Sequence, residues 1–244
     1  MSRKSSRNPQ TPASPPSAAP EPRVESHMNR RNLFVGAVMV LLLVFVVAML
    51  SYKSEKAQPE PVAAATQQPA LASEHAPTFG SADAKVHVVE FLDPACGTCA
   101  QFFAPVKKLL AEYDGKVRLS LRHVPFHQGS DLVVKILEAA RAQDKYLPTL
   151  ESLYATQKQW EVNHIVQADA VWQVVGGLGL DMEKLKRDMN APAVAKRMQQ
   201  DMADARTLGV RATPEFYVNG RPLPSFGLGE LQTLVADEVR RAYP

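Results

Sequence analysis

The longest feature in the hydropathy pattern is an uncharged apolar run from Leu33 to Leu50, LFVGAVMVLLLVFVVAML. As a helix it would span about 27 Å, close to the hydrocarbon thickness of a bilayer. A core helix would show a polar stripe. A cleaved signal peptide would carry a shorter run ending at a small-x-small site, which the exit through Ala48, Met49, Leu50 and Ser51 does not offer. The run therefore predicts an uncleaved transmembrane signal anchor. Further on the period changes. Val86–Leu92 is short, apolar and β-rich, as a buried strand would be. Ala100–Tyr113 follows a helical period, with Phe103, Val106, Leu110 and Tyr113 on one stripe and a kink expected at Pro105. Val117–His123 alternates as a second strand, which completes a βαβ unit. From about 131 to 208 the pattern is helical throughout, in pieces set off by Pro148, Gly176-Gly177 and Pro192. Strand character returns at Glu215–Val218, then a turn at Asn219-Gly220, a short strand Arg221–Leu223 and a last helix from Leu228 to about Ala242.

Composition divides the chain into regions. Residues 1–32 are rich in Ser, Pro and Arg and poor in apolar groups, which predicts a disordered tail. Residues 51–75 read as a flexible linker, and the folded unit is expected over 76–244. Six basic residues precede the apolar run (Arg3, Lys4, Arg7, Arg23, Arg30 and Arg31), against Lys53 and Lys56 just after it. That bias puts the tail in the cytoplasm and the folded unit outside. The formal charge of +3 belongs to the N-terminal segment, because residues 76–244 carry 20 basic and 20 acidic side chains. A folded part without basic excess argues against nucleic-acid binding.

The chain's two cysteines stand together in Cys96-Gly97-Thr98-Cys99, where the first strand turns into the helix. Helix-terminal N–H groups favour a thiolate at the first cysteine, and the second, one turn on, is placed to close or resolve a disulfide. A zinc site completed by His123 and His127 fits less well: the gap to the histidines is long and Pro125 lies between them. A purely structural bridge would constrain little, since the loop it closes is so short. The second signal is Ala212-Thr213-Pro214 at the entry of the later strand, a candidate cis-proline.

Together with Gly80–Val86, Val89–Cys99 and Leu208–Gly220, these motifs resemble the DsbA-like branch of the thioredoxin superfamily. The resemblance covers about 76–244. It implies an α/β thioredoxin fold with an inserted helical subdomain (about 128–208), here preceded by one transmembrane helix. It implies Cys96 as exposed nucleophile, Cys99 as buried partner, and Pro214 as the cis-proline against the disulfide. Thr213 would pair with a substrate strand, and Glu90 would be a buried acid that handles the proton of Cys99. Gly97 and Thr98 would tune the pair; lacking a histidine, they imply an intermediate potential, and Thr213 leans the expectation slightly towards a reductase or isomerase. The implied function is thiol-disulfide exchange with cysteine-containing exported proteins, recycled by a membrane redox partner. The chain would be a monomer at the inner membrane facing the periplasm, with no dissociable cofactor and no bound metal. A binding module holding copper or zinc on thiols and methionines is the alternative. Met182, Met189, Met198 and Met202 read better as core packing, and Trp160 and Trp172 as anchors of the helical block.

Overall fold

The computed structural model describes residues 30–55 and 69–244. They fall into two units, divided between Gln58 and Pro59. The expected tail over 1–29 and the linker over 56–68 lie outside the described residues. In the first unit the apolar run lies in one helix, α1 (Arg30–Glu55), which continues to the fifth residue of the expected linker. Its side chains are described only at 34–36, 38–47 and 49, and all of these are exposed. Among the described residues no helix is long and apolar enough to cross a membrane.

The second unit opens with β1 (Thr78–Phe79), β2 (Val86–Leu92), α2 (Gly97–Glu112) and β3 (Val117–His123). β2 and β3 run parallel in the register Val86↔Val117 to Leu92↔His123, so α2 is the crossover of a βαβ unit. α2 starts at Gly97, earlier than its apolar stripe, and runs on through Pro105.

The insertion follows: α3 (Ser130–Arg141), α4 (Tyr146–Ala155), α5 (Gln157–Trp160), β4 (Glu161–Val162), β5 (Ile165–Val166), α6 (Ala168–Gly176), α7 (Met182–Asp188) and α8 (Pro192–Leu208). Two expectations fail here. The block is not wholly helical, because β4 and β5 form a hairpin whose tip residues Asn163 and His164 take positive φ. Pro148 does not divide two helices. It sits in the first turn of α4, where a proline removes no intrahelical bond, and the break falls at Asp144, with φ of 56°. Gly176-Gly177 and Pro192 do mark helix ends: α6 closes at the glycines, and α8 begins at the proline. Trp160 anchors the block, fully buried with its indole N–H donating to the Leu153 carbonyl at 2.8 Å.

The chain then returns through β6 (Glu215–Val218), β7 (Arg221–Pro222) and α9 (Leu228–Ala242). The sheet has the order β1-β3-β2-β6-β7, with β6 antiparallel to β2. Asn219 and Gly220 join β6 to β7 with φ of 48° and 82°, the hand a tight hairpin needs. Central β2 is buried along nearly its whole length because both faces are covered. Val86, Val88 and Leu92 share a core with α2, α9 and much of the insertion, whereas Val89 and Phe91 pack with Ala205 of α8 and Tyr217. By alternation Glu90 points to the side of α2.

The folded unit begins earlier than the expected residue 76. Ala70 and Leu71 are buried, and the Ala70 carbonyl accepts from the guanidinium of Arg122 at 3.0 Å. His75 Nε2 meets Asp201 Oδ1 at 2.7 Å. The Arg122 side chain is fully buried between Asp201 and Asp204, so this stretch closes over an ion-pair network that composition could not reveal.

Candidate functional site

The end of β2 delivers the chain to the site. Cys96 is the N-cap residue of α2, its own N–H bonded to the Asp93 carbonyl at 2.9 Å and its carbonyl receiving the Ala100 N–H at 3.1 Å. The N–H groups of Thr98 and Cys99 aim at its sulfur, although neither closes to an ordinary capping hydrogen bond. Cys96 and Cys99 are both free thiols. Cys99 is fully buried, and Cys96, expected as the exposed sulfur, is itself buried at 7% exposure because the cis-proline loop lies against it, while Gly97 is exposed and Thr98 half-buried at the mouth of the turn.

The Thr213–Pro214 peptide is cis and lies against this turn. The Cys96 thiol donates to the Thr213 carbonyl at 3.2 Å, a contact open only to the protonated sulfur. The rest of the surroundings favour the thiolate. The hydrogen bond with Cys99, the Thr213 side chain and the helix-end N–H groups outweigh partial burial and pull Cys96 down to about 5. Burial, aided by the bond to Cys96 and by the charge on Glu90, pushes Cys99 far above the ordinary thiol range. Two thiols one helical turn apart are thus split into a ready anion and a thiol that keeps its proton.

Glu90 is 3% exposed, which excludes a solvated strand-end carboxylate. Burial, with a smaller push from the charge on Cys96, raises it to about 8. It lines a mainly apolar cavity of about 240 Å³ with Phe103, Val106 and Leu121, and Lys107 and Asp114 are among the other lining residues.

Three further residues hold this arrangement: Asp93 and Gln157, which the sequence did not single out, and His127, which entered only as a zinc candidate. Asp93, fully buried, accepts from the N–H groups of Ala95 (2.9 Å), Phe126 (2.7 Å) and His127 (2.8 Å) and from the Ser130 hydroxyl. His127 Nδ1 meets the same carboxylate at 2.7 Å. Gln157 reaches in from α5 and donates to the carbonyls of Pro94 (3.0 Å) and Cys96 (3.1 Å). The available signal for Asp93 was its place in the turn, three residues before Cys96. Position 157 carried none, and His127 drew notice only through its spacing from His123.

Cys96 opens onto a surface groove of about 510 Å³ lined also by Phe126, His127, Gln128, His164, Arg211, Ala212 and Thr213. Among the described residues no group of three or more His, Cys, Asp or Glu is arranged to hold a metal ion. His123 turns away from the cysteines, its Nε2 on the Tyr146 hydroxyl at 2.8 Å. Met189 is buried in the core that holds Val86 and Leu92, with Met182 packed against it, and Met202 packs in the second beside Ala205, whereas its i, i+4 neighbour Met198 is only half-buried and joins neither.

Comparison with known proteins agrees with this geometry. Residues 72–237 match the family described as Thioredoxin. A thioredoxin-like oxidoreductase of Silicibacter pomeroyi has 34% identity and a TM-score of 0.59, over 70% of this chain and 93% of that one. The "Probable disulfide bond formation protein D" of Bacillus anthracis is 29% identical over 196 residues, 77% of this chain and 85% of that protein. A Na(+)/H(+) antiporter NhaA of Herminiimonas arsenicoxydans is 32% identical over 162 residues, 66% of this chain. The chain spans only 25% of that antiporter's length, so its transport activity is not carried over. With the strand–turn–helix cysteine pair, the cis-proline loop and the family match over most of the folded unit, the chain belongs to the thioredoxin family and is a thiol-disulfide oxidoreductase.

Proposed function

We propose that the chain donates disulfides to cysteine-containing exported proteins through the pair Cys96 and Cys99. In the reverse half of the cycle the Cys96 thiolate attacks and Cys99 closes the ring. Glu90 passes the proton of Cys99 to and from water in the cavity beside it. Thr213 and Pro214 hold the substrate strand, and Gly97 and Thr98 leave the helix end open to it. The electrons reside on the cysteine pair, so the exchange itself needs no dissociable cofactor. The reading rests above all on the unequal pair, an anion-favouring sulfur at a helix end beside a fully buried thiol.

Direction follows from the same asymmetry. A disulfide is readily given away when the reduced form gains a stable thiolate. Thiolates near about 7 in thioredoxin and about 3.5 in DsbA accompany potentials of about −270 and −120 mV. With Cys96 near 5 the potential should fall between these, on the donating side of thioredoxin. Equilibration with glutathione buffers measures it; a value at or below thioredoxin's would return the chain to the reductase reading that Thr213 suggested.

The apolar run 33–50 and the basic residues before it support an inner-membrane anchor with residues 76–244 facing the periplasm. A membrane redox partner would reoxidise a monomeric domain held there. Protease added to spheroplasts should release the folded domain and spare the N-terminal tail. A soluble form starting beyond residue 50 would remove the anchor.

A further inference from the structure

When the cysteine pair is oxidised, the attacking sulfur is the substrate's. An ordinary cysteine titrates near about 8.5, so at neutral pH that sulfur is mostly protonated and a poor nucleophile. The groove at Cys96 contains a group suited to take this proton. His127 lines it together with Cys96 and Thr213, so a substrate sulfur approaching Cys96 through the groove passes within it. The ring is held on two sides: its Nδ1 is 2.7 Å from Asp93 Oδ2, and its centre lies 5.4 Å from that of the His164 ring, tilted by 32°. Asp93 already accepts from three backbone N–H groups and a hydroxyl, so it also serves as acceptor towards the imidazole. That assigns the N–H to Nδ1 and leaves the Nε2 lone pair of the neutral ring free of Asp93. The side chain of His127 is 20% exposed and that of Asp93 is fully buried, an oriented base backed by a shielded carboxylate.

We propose that His127 is a catalytic residue, the general base that deprotonates the incoming substrate thiol and, in reverse, the acid that protonates the departing one. In the forward step the substrate S–H proton passes to His127 Nε2 as the sulfur attacks Cys96 Sγ. A substrate–Cys96 disulfide forms and the Cys96–Cys99 bond breaks. Its electron pair goes to the Cys99 sulfur, which takes the proton held by Glu90. His127 then returns its proton to solvent. The other titratable or charged groups around the ring are Asp93 at the end of β2, Cys96 at the start of α2, His164 at the β4–β5 tip and Arg211 before β6. Glu161 of β4 is occupied by the His164 N–H.

The proposal rests on exchange at Cys96, and its test separates the two. The oxidised chain is reacted in single turnover with 2-mercaptoethanol, which is largely protonated at neutral pH, and with benzenethiol, which is largely thiolate. His127→Asn keeps an amide N–H for Asp93 but has nothing in place of Nε2; His127→Gln is the second variant should the first fail to fold. The variant should react with 2-mercaptoethanol about tenfold more slowly or worse, and with benzenethiol less than threefold more slowly. Between pH 6 and 8 its rate with 2-mercaptoethanol should rise more steeply with pH than the parent's. Equal slowing with both thiols, or none with either, would overturn the role of His127. A parent chain inert to both thiols would overturn exchange at Cys96 itself.

Discussion

Cys96 and Cys99 are the same amino acid three positions apart, and only their surroundings make them different groups. One sulfur caps a helix and opens on a groove; the other lies inside the core, fully buried. Glu90 completes the division. A carboxyl held near 8 is protonated at neutral pH, so it can hand a proton to the Cys99 sulfur as the disulfide opens, and an ordinary carboxylate could not. Above about 8 that proton is gone. Glu90→Gln fills nearly the same space without a titrating proton. We expect it to slow disulfide opening about tenfold near neutral pH and to abolish the decline on the alkaline side of pH 8, as followed by stopped-flow fluorescence on the oxidised chain. An unchanged pH profile would leave Glu90 with a packing role only.

At the scale of elements, the site is where four separate segments meet: the β2–α2 turn, the loop leading to α3, α5 of the insertion, and the cis-proline loop before β6. Gln157 is the tie from the third: it donates to the carbonyl of buried Pro94 and shares the Cys96 carbonyl with the Ala100 N–H. Gln157→Ala should therefore destabilise the fold by about 1–3 kcal/mol. Gln159→Ala, two residues on and exposed, should stay within about 0.5 kcal/mol. Urea denaturation of both variants measures the difference, and equal midpoints would mean that Gln157 holds nothing. The same convergence explains what could be read in advance. β2, β3, β6 and α9 were legible to the residue because a strand or helix with a buried face imposes its period on its own segment. The cysteine turn and the proline loop were legible through local chemistry. The β4–β5 hairpin was not, because two residues a side cannot establish an alternation. The roles of Asp93, His127 and Gln157 at the site were not legible because they come from contacts across 34 to 63 positions of sequence.

For the whole molecule, the two displaced titrations act on folding stability with opposite signs. Cys96 loses its proton near 5 in the folded chain and near 9 when unfolded, so its contribution grows as pH rises from 5 to 9. Glu90 keeps its proton to about 8 when folded but gives it up near 4.5 when unfolded, so its contribution shrinks from 4.5 to 8. In the reduced chain the two slopes oppose each other between 5 and 8. In the oxidised chain the sulfurs no longer titrate and Glu90 acts alone. Groups elsewhere, such as the Arg122–Asp201 network, are common to both forms and drop out of the comparison. Urea midpoints at several pH values from 5.5 to 8.5 should therefore fall more steeply for the oxidised chain than for the reduced one. Glu90→Gln should flatten the oxidised series and leave the reduced chain gaining stability with pH. Parallel slopes in the two redox forms would mean that Cys96 is an ordinary thiol, and the case for disulfide donation would fall with it.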